Sequence, residues 1–364
     1  MPSPSTTLAP LRRGGAFAAL LAALAACAPM AMASSGAARA ACAADGAEAI
    51  RPVINVRVDN DMFGGLGQDQ GYSNGFQVTL MSANLKEFGD PECLPTPVRW
   101  VDRYLTWMHP KGLDQKNVVV GFGQALFTPT DRESTALLPD DRPYAAALLL
   151  SVGYNARSGD RLQTSHLRVG IVGPSALGEQ TQNGWHKIWG IDEFRGWDNQ
   201  LRDEPVFQLV HERMRRWAPP PADRLSWDAI GHWGASLGNL LTYANAGLEV
   251  RVGSRLPDDF GSDPLRPAGE NTAPSRRTPP DEWSWHAFAS VDVRAVAHNI
   301  TLDGNTWKHS HGVGKRTFVA DFGRGVAVTY GPWKLALAHY NRTREFDGQR
   351  VRPAFGSITV SRRF

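Results

Sequence analysis

The chain has 364 residues, with 39 Lys and Arg against 36 Asp and Glu, and carries a formal net charge of only +3. A charge this close to balance gives no support for nucleic acid as a partner, because nucleic-acid-binding domains concentrate basic side chains on one surface. The three cysteines lack the paired spacing of a zinc finger. The length is sufficient for one large β domain after an export signal.

Residues 1–40 are predicted to be a cleavable export signal. A basic pair precedes an apolar run from Ala16 to Ala26, and small residues follow it. The run is shorter than the about 20 apolar residues that a membrane-spanning helix needs, so it is typical of a secretory signal. Cleavage after Ala33 or after Ala40 fits the pattern. Residues 41–364 are then expected to form a single barrel domain.

The cysteines agree with export. A lipoprotein-type cleavage is an alternative interpretation, in which Cys27 becomes the lipidated residue. If Cys27 leaves with the signal, Cys42 and Cys93 remain and could form one disulfide in an oxidising compartment. Neither lies near a histidine in a nucleophile pattern, which argues against a thiol enzyme.

Segments that alternate between apolar and polar side chains recur along the exported chain, with turn residues between them. Such segments are typical of strands with one apolar face, and they do not raise a hydropathy window. The sequence therefore predicts an all-β fold, an antiparallel transmembrane β-barrel of about twelve strands with short helices in its loops. The predicted strands begin near Val53, Gly75, Asn117, Tyr144, Leu162, Val206, Leu225, Ala244, Ser284, Arg316, Lys334 and Phe355.

Two stretches are predicted to be helical, Thr96 to His109 and Ser175 to Trp197. With an even number of strands, odd-numbered connections should be long external loops and even-numbered connections short periplasmic turns. The stretch from Thr96 to His109 and the Pro-rich stretch from Leu256 to Thr278 break this parity, because both are long and fall on the periplasmic side. The second is left without an assigned role, beyond the chemistry of a solvated linker.

The last segment, Ser357 to Phe364, alternates in polarity and ends on an aromatic residue. This ending is typical of bacterial outer-membrane barrels, whose last strand is read by the assembly machinery. Plentiful Trp and Tyr agree with the aromatic girdles of such barrels. We therefore expect a multi-pass, monomeric protein of the bacterial outer membrane.

Two polar motifs, Asp59 to Asp61 and Tyr72 to Gly75, adjoin predicted strands that run from Val53 to Val58 and from Phe76 to Met81. Turns favour these residue types because they tolerate unusual backbone angles, so a plain polar loop is one interpretation. The other interpretation is a site at neighbouring strand ends, where oxygens bind a cation and donors stabilise an oxyanion.

A third motif, in the loop that begins at Gly173, adds a Gln-Asn-x-x-His block. Together these motifs resemble the outer-membrane lipid A 3′-O-deacylase family, and the similarity runs in order from Asn60 to Phe364. The matching segments are Asn60-Asp61, Gly71 to Phe76, Asp141 to Tyr144, Gln182 to His186 and Gly238-Asn239. The resemblance implies a twelve-stranded barrel that depends on calcium. It also implies hydrolysis of the ester that attaches the 3′ acyloxyacyl chain to lipid A, part of lipopolysaccharide, in the outer leaflet.

By this resemblance, His186 takes the place of the catalytic histidine, the general base that activates water. Asn60, Asp61, Ser73 and Gln182 occupy positions that the family needs for activity. Histidine is a natural base for ester hydrolysis, because its ordinary pKa lies near neutral pH. No Gly-x-Ser-x-Gly elbow is present, so a serine triad is disfavoured.

Calcium (Ca2+) is the cofactor that the resemblance implies, with Asp61, Ser73 and Asp192 as its ligands. Calcium takes about six to eight oxygen ligands, and carboxylates and loop carbonyls can supply them. A bound calcium ion could polarise the ester carbonyl as a Lewis acid. Asp192 is shorter than a glutamate at the same position would be, whereas Ser73 keeps the hydroxyl oxygen that a threonine would offer.

Arg132 and Arg142, on the second external loop, are predicted to contact the phosphates of lipid A, because guanidinium forks match phosphate geometry. The alternative is that both are solvated loop charges, or that Arg142 is a structural partner of Asp141. Two other protein classes stay open. A porin or structural barrel would conduct ions, and an outer-membrane phospholipase would share ester chemistry but use a Ser-His pair.

Overall fold

The computed structural model describes residues 52–64, 71–90, 93–219, 225–262 and 282–364, and the predicted signal lies outside these ranges. Twelve antiparallel strands of the described chain form a closed barrel, in which each strand pairs with its neighbours in sequence and the first pairs with the last. The predicted fold is confirmed. No helix among the described residues is long and apolar enough to span a membrane.

The strands begin close to the predicted positions. The largest difference is at the second strand, which begins at Gly71 rather than near Gly75. The strands are β1 Val53–Asn60, β2 Gly71–Met81, β3 Gln115–Thr128, β4 Ala145–Ser158, β5 Arg161–Val172, β6 Glu204–Trp217, β7 Leu225–Leu237, β8 Leu241–Ser254, β9 Ser284–Asn299, β10 Phe318–Tyr330, β11 Trp333–Arg342 and β12 Ala354–Arg363, and the helices are α1 Thr96–Leu105, α2 Gly178–Trp189 and α3 Ile300–Asp303.

The two ends of the barrel differ. We call the end that carries the connections after β1, β3, β5, β7, β9 and β11 the loop end, and the opposite end the turn end. The connections after β4 and β10 are tight turns, as predicted, whereas the connection after β2 contains α1. The connection after β7 departs from the expected parity, because only residues 238–240 lie between β7 and β8 at the loop end.

Side chains alternate between a polar interior and an apolar outer wall. Along β6, Gln208, Glu212 and Arg216 are buried inside the barrel, while Phe207 and Trp217 are exposed on the outside. Successive residues of a strand point to opposite faces, so every strand presents one face to each environment. An exposed apolar belt around a closed sheet is the arrangement that a lipid bilayer stabilises. Its members include Leu150, Val169, Phe207, Trp233, Leu248, Phe322, Leu337 and Val360.

Ion pairs fill the interior. In the half nearer the loop end, Arg294 bridges Asp292 and Asp321, and Arg342 bridges Asp321 and Glu345. These side chains form a continuous ladder that runs across β9, β10 and β11. Each charge of this ladder is therefore compensated by an opposite charge, which burial in a low-dielectric interior requires.

The interior near the turn end is closed by residues 255–262, which we call the plug segment. Phe260 is fully buried and packs against Leu162, Met214 and Ile230. Asp258 accepts hydrogen bonds of 2.7 Å from the guanidinium groups of both Arg157 and Arg216.

Solvated linker chemistry therefore does not describe residues 256–262, the described part of the stretch from Leu256 to Thr278, whose role the sequence left open. The sequence does not reveal this burial, because the plug segment forms no strand of the sheet and has no periodic pattern of apolar residues. Its apolar and acidic side chains are complementary to inward residues of distant strands, which the local sequence does not display. Residues 263–281 lie outside the described chain.

Helix α1 lies on the outer wall at the turn end and confirms the predicted helix from Thr96 to His109, with a 3-10 turn following at Thr106–Met108. Leu105 and Met108 pack against Tyr154 and its neighbours on the outer wall. Cys93, just before the helix, is disulfide-bonded. Cys27 and Cys42 lie outside the described residues, so the pairing of Cys42 with Cys93 stays a prediction.

Replacement of Asp228 by Asn is expected to destabilise the barrel. Asp228 is fully buried and accepts hydrogen bonds from Arg216 at 2.8 Å and from Arg251 at 2.6 Å, so the change leaves two buried guanidinium groups undercompensated. The expected loss is about 3–5 kcal/mol in the free energy of unfolding. Urea unfolding of the refolded barrel in detergent measures it.

The matched control is Asp347→Asn, because the pair between Asp347 and Arg316 lies in an exposed loop. This control should change the free energy of unfolding by less than about 1 kcal/mol. Equal losses for the two variants would contradict the structural role assigned to the interior network.

Candidate functional site on the outer wall of the loop end

Asp59, Asn60 and the motif from Tyr72 to Gly75 lie inside strands, and Asp61 directly follows β1. Asp59 pairs with Gly75 and Asn60 with Asn74 across β1 and β2, so the prediction that these residues lie beyond the strand ends is wrong. Their strands continue past the apolar belt, because main-chain pairing does not require apolar side chains once the strand reaches the rim. The polar residues are therefore held rigidly by the sheet rather than by a loop.

Asp59 and Asn60 project from opposite faces. The Asp59 carboxylate faces the interior, where it accepts a hydrogen bond of 2.7 Å from the Tyr72 hydroxyl. On the other face, the Asn60 amide nitrogen donates to the carbonyl oxygen of Ser73 at 3.2 Å, and its amide oxygen accepts from the backbone N–H of Met62 at 2.8 Å. Asn60 thus connects the end of β1 to the start of β2 on the outer wall.

Ser73 occupies a β-bulge. The register of β2 against β3 shifts between Tyr72 and Asn74, so Ser73 is the additional residue. A bulge redirects side chains locally, and here it turns Tyr72 inward to Asp59. The buried Ser73 hydroxyl lies 3.4 Å from the carbonyl oxygen of Leu126, to which it donates.

Asp61 begins a 3-10 turn, Asp61–Gly64, and its side chain is buried. Gly64 ends this turn in close contact with β12, where a Cβ atom at position 64 would lie 2.8 Å from the carbonyl oxygen of Ala354. Glycine is therefore required for this close approach. The contact holds the turn, and Asp61 with it, against the rim of the barrel.

Helix α2 supplies the second half of the candidate site and lies within the predicted helical stretch from Ser175 to Trp197. Gln182 and His186 are four residues apart and therefore share one face of the helix, which is buried. On the opposite side Ile188 is 76% exposed. The loop around α2 covers the outer wall through an apolar cluster of Leu126, Tyr144, Ala146, Ala176, Phe194 and Trp197.

Hydrogen bonding determines which tautomer His186 adopts. Its Nδ1 atom lies 2.6 Å from the backbone carbonyl oxygen of Asp192, and a carbonyl only accepts hydrogen bonds. Nδ1 therefore carries the proton, and Nε2 holds the lone pair of the neutral ring. The Gln182 amide nitrogen lies 3.0 Å from Nε2 and donates to it. The imidazole is thus oriented at both nitrogens, with its basic atom defined.

Packing connects the strand residues to the helix. The His186 ring lies 5.4 Å from the Phe194 ring, and Phe194 belongs to the same cluster as Leu126. Leu126 in turn accepts the hydrogen bond of Ser73, which is linked to Asn60. The structure thereby places Asn60, Ser73, Gln182 and His186 on one side of the outer wall, at the loop end.

Asp192 and Arg132 lie at the edge of this site. Asp192 contributes its backbone carbonyl to His186, while its carboxylate is 77% exposed and lies 3.8 Å from the Arg132 guanidinium. Metal binding by Asp192 and phosphate binding by Arg132 stay predictions, and both groups are at a surface that a ligand can reach.

Arg142 has a different environment. It is 2% exposed, and its guanidinium donates to Glu345 at 3.1 Å and to Thr301 at 2.9 Å while lying over the Phe127 ring. Burial lowers the pKa of Arg142, and the Glu345 carboxylate opposes that shift. These contacts give Arg142 a structural role with Glu345 and Thr301 as partners rather than Asp141, and a guanidinium held inside the barrel is not presented to a phosphate on the outer wall.

Asn183 is a site residue whose role the sequence reasoning did not assign. Its amide donates to the carbonyl oxygen of Phe194 at 3.4 Å and accepts from the Phe194 N–H at 3.2 Å. This pair of bonds holds residues 190–194 against α2 and so positions the carbonyl of Asp192. The signal was present in the sequence, because Asn183 follows Gln182 in the block that contains His186.

The oxygen donors of the site are of the kind that calcium binds. Asp61 offers a buried carboxylate, and Ser73 and the main chain offer neutral oxygens, which are the hard ligands that calcium prefers. In the described part of the chain, no three His, Cys, Asp or Glu side chains converge as a metal cluster. A calcium site here would therefore combine Asp61 with neutral oxygens, and with Asp192 if its exposed side chain turned toward the rim.

Replacement of Gly178 by Ala is expected to displace α2 from the wall. A Cβ atom at position 178 would lie 2.5 Å from the Cβ of Ala146 and 2.7 Å from the Trp197 ring. The matched control is Gly184→Ala in the same helix, where a Cβ meets nothing within 4 Å. Limited trypsin digestion, followed at the exposed Lys187, should proceed faster in the first variant and unchanged or slower in the second. Equal digestion would contradict close packing of α2.

The family described as outer membrane protein LpxR matches residues 19–364. The barrel is similar to LpxR from Salmonella typhimurium, with a TM-score of 0.65 and 18% identity over 86% of this chain and 100% of that chain. The β domain of the Bordetella autotransporter BrkA gives a TM-score of 0.40 and 10% identity, over 86% of this chain and 99% of that chain. No curated protein sequence matches significantly. The chain therefore belongs to the LpxR family of outer membrane proteins.

Proposed function

We propose that this protein is a lipid A 3′-O-deacylase, which hydrolyses the ester of the 3′ acyloxyacyl chain of lipid A. The observation that carries the proposal is the environment of His186. Its Nδ1–H is fixed by the Asp192 carbonyl, and its basic Nε2 lies on the same side of the outer wall as Asn60 and Ser73. Membership of the LpxR family supports the same substrate class.

The position of the site supports a lipid substrate. In outer-membrane barrels the longer loops face the cell exterior, so the loop end lies at the outer leaflet, where lipopolysaccharide resides. His186 lies between α2 and the outer wall, and exposed apolar side chains are present at the same end of the barrel, Ile188 on α2 and Met62 and Phe63 after β1. A lipid whose ester lies at the boundary between acyl chains and headgroup could reach it without leaving the membrane.

In the proposed reaction, the Gln182 amide gives up its hydrogen bond to the single lone pair of His186 Nε2, which then accepts a proton from a water molecule as the water oxygen attacks the ester carbonyl carbon. The tetrahedral intermediate collapses with cleavage of the bond to the 3′ oxygen, and the imidazolium returns the proton to that leaving oxygen. The products are the free 3′ hydroxyl of lipid A and a carboxylic acid. General base catalysis of this kind typically raises the reaction rate by about 10²–10⁴-fold.

The remaining site residues have supporting parts in the proposal. The Gln182 amide orients the imidazole through Nε2, and Asn60 and Ser73 shape the rim beside it. Asp61, Ser73 and Asp192 would hold calcium, which when bound supplies a positive charge for the ester carbonyl oxygen.

The filled interior supports an enzyme over a porin. The ladder from Asp292 to Glu345 and the plug segment occupy the interior of the described barrel. A phospholipase of the Ser-His type is disfavoured by the partners of the imidazole. The His186 nitrogens bond to the Asp192 carbonyl and the Gln182 amide rather than to a serine hydroxyl.

Replacement of His186 by Ala should abolish deacylation, because no other group would accept the proton of the attacking water. The expected fall in rate is at least about 100-fold. Mass spectrometry of lipid A and phospholipids from cells that express the variant measures it, with heat-modifiable migration as the check of folding. His309→Ala, in an exposed loop, is the control and should leave the mass shift intact. A mass shift in the His186 variant would refute the assignment of the base.

Replacement of Asp61 by Asn should weaken the response to calcium, since it removes the buried carboxylate of the site. Wild-type activity on lipid A in detergent is expected to fall after chelation and to recover with calcium. The variant should need a much higher calcium concentration for the same rate. Asp140→Asn, in the exposed part of the second loop, serves as the control. If chelation leaves the wild-type rate unchanged, the calcium part of the proposal fails while the role of His186 can still stand.

A further inference from the structure

Two arginines meet on the outer wall at the turn end. Arg161 at the start of β5 and Arg215 near the end of β6 are directly opposite each other in the antiparallel register. Both are exposed, whereas their neighbours Leu162 and Arg216 are buried in the interior. Since successive side chains alternate between faces, both guanidinium groups project outward, on the side where lipid lies.

Like charges directly opposite each other destabilise a pair of strands. Arg216, one position further, is compensated inside the barrel by Asp228 and Asp258. Among the ion pairs of the described residues, by contrast, none involves the outward Arg161 or Arg215. An anion bound between the two guanidinium groups would convert their repulsion into attraction.

A cavity lies at this pair. Its volume is about 350 Å³, and Arg215 stacks over the Trp217 ring beside it, with 5.6 Å from the guanidinium carbon to the ring centroid. A stacked guanidinium keeps its planar fork oriented for bidentate hydrogen bonds to an oxyanion. The cavity is lined by Ser158, Asp160, Arg161, Arg215, Arg216, Trp217 and Ala218.

The depth of the cavity matches that of lipid headgroups. Exposed aromatic side chains mark the same end of the outer wall near the turns, as the girdle at a membrane–water interface does. They are Trp217, Trp227, Trp285, Tyr330 and Trp333. The turn end faces the periplasm, so the phosphates at this level are those of the phospholipids in the periplasmic leaflet.

We propose that Arg161, Arg215 and Trp217 form a binding site for the headgroup phosphate of an anionic phospholipid in the periplasmic leaflet. The two guanidinium groups bind the phosphate oxygens, and the ring of Trp217 borders the glycerol backbone. The preference for an anionic lipid follows from the two outward positive charges, against the single acidic residue of the cavity, Asp160. The site is independent of the proposed deacylase activity and lies at the other end of the barrel.

The test is native mass spectrometry of the full barrel in detergent, with phosphatidylglycerol, phosphatidylcholine or inorganic phosphate added. Wild-type protein should retain phosphatidylglycerol in preference to phosphatidylcholine. The double variant Arg161→Gln, Arg215→Gln should bind phosphatidylglycerol more weakly by roughly thirtyfold, the loss expected for two charges at an anionic surface. Without lipid, the same variant should be at least as stable as wild type to urea, because the repulsive pair is gone.

The matched control is Arg344→Gln, Arg350→Gln, which removes two exposed arginines at the loop end and should leave phosphatidylglycerol binding unchanged. Arg161→Lys, Arg215→Lys keeps both charges without the planar forks and should restore part of the affinity. Equal retention of both lipids by wild type, or undiminished binding by the Gln variant, would overturn the proposal. Binding of inorganic phosphate in place of the lipid would overturn it as well.

Discussion

The structure depends on one constraint, the closure of the sheet by pairing of β1 with β12. In the apolar part of a bilayer no water is available to main-chain N–H and C=O groups, so each must be paired within the sheet. Closure of the sheet pairs the main-chain groups of every strand. The interior and the outer wall then differ only in the side chains that each face presents. The ion pairs, the apolar belt and both proposed sites follow from which face each side chain occupies.

This alternation explains why the candidate active site lies outside the barrel. Asn60 projects outward while Asp59 next to it projects inward. The bulge at Ser73 allows Tyr72, at the start of β2, to point inward to Asp59, while Asn60 bonds to the Ser73 main chain on the outer wall. Helix α2 covers this part of the outer wall and contributes His186 to the site. An interior that is filled with charged side chains has no room for a lipid, whereas the outer wall is where membrane lipid lies.

Much of this was predictable from the sequence, because the signals are local. Strand starts follow from period-two alternation, and α1 and α2 follow from breaks in it. The site residues carried a family motif in a fixed order. What could not be predicted depends on contacts between distant segments. Phe260 packs against three inward side chains on three different strands, and the sequence around Phe260 does not predict these contacts.

Two further features show the same limit. The sequence marked Arg142 as a loop arginine, and only the folded chain shows that Glu345 and Thr301, far away in sequence, hold it inside. Asp192 has a role beyond the predicted one. Its side chain stays a predicted metal ligand, and its backbone carbonyl in addition orients the imidazole, a contact that residue type alone does not reveal. The strand register and the direction of the backbone determine the contacts of both Arg142 and Asp192.

The central claim is that His186 activates water for direct attack on the ester, without a covalent acyl intermediate. Rapid-quench mass spectrometry of the intact purified protein during turnover of lipid A, in water enriched in oxygen-18, tests it directly. The account predicts oxygen-18 in the released acid and a protein mass that stays unchanged at every time point. An acylated protein that forms and decays during turnover would contradict it.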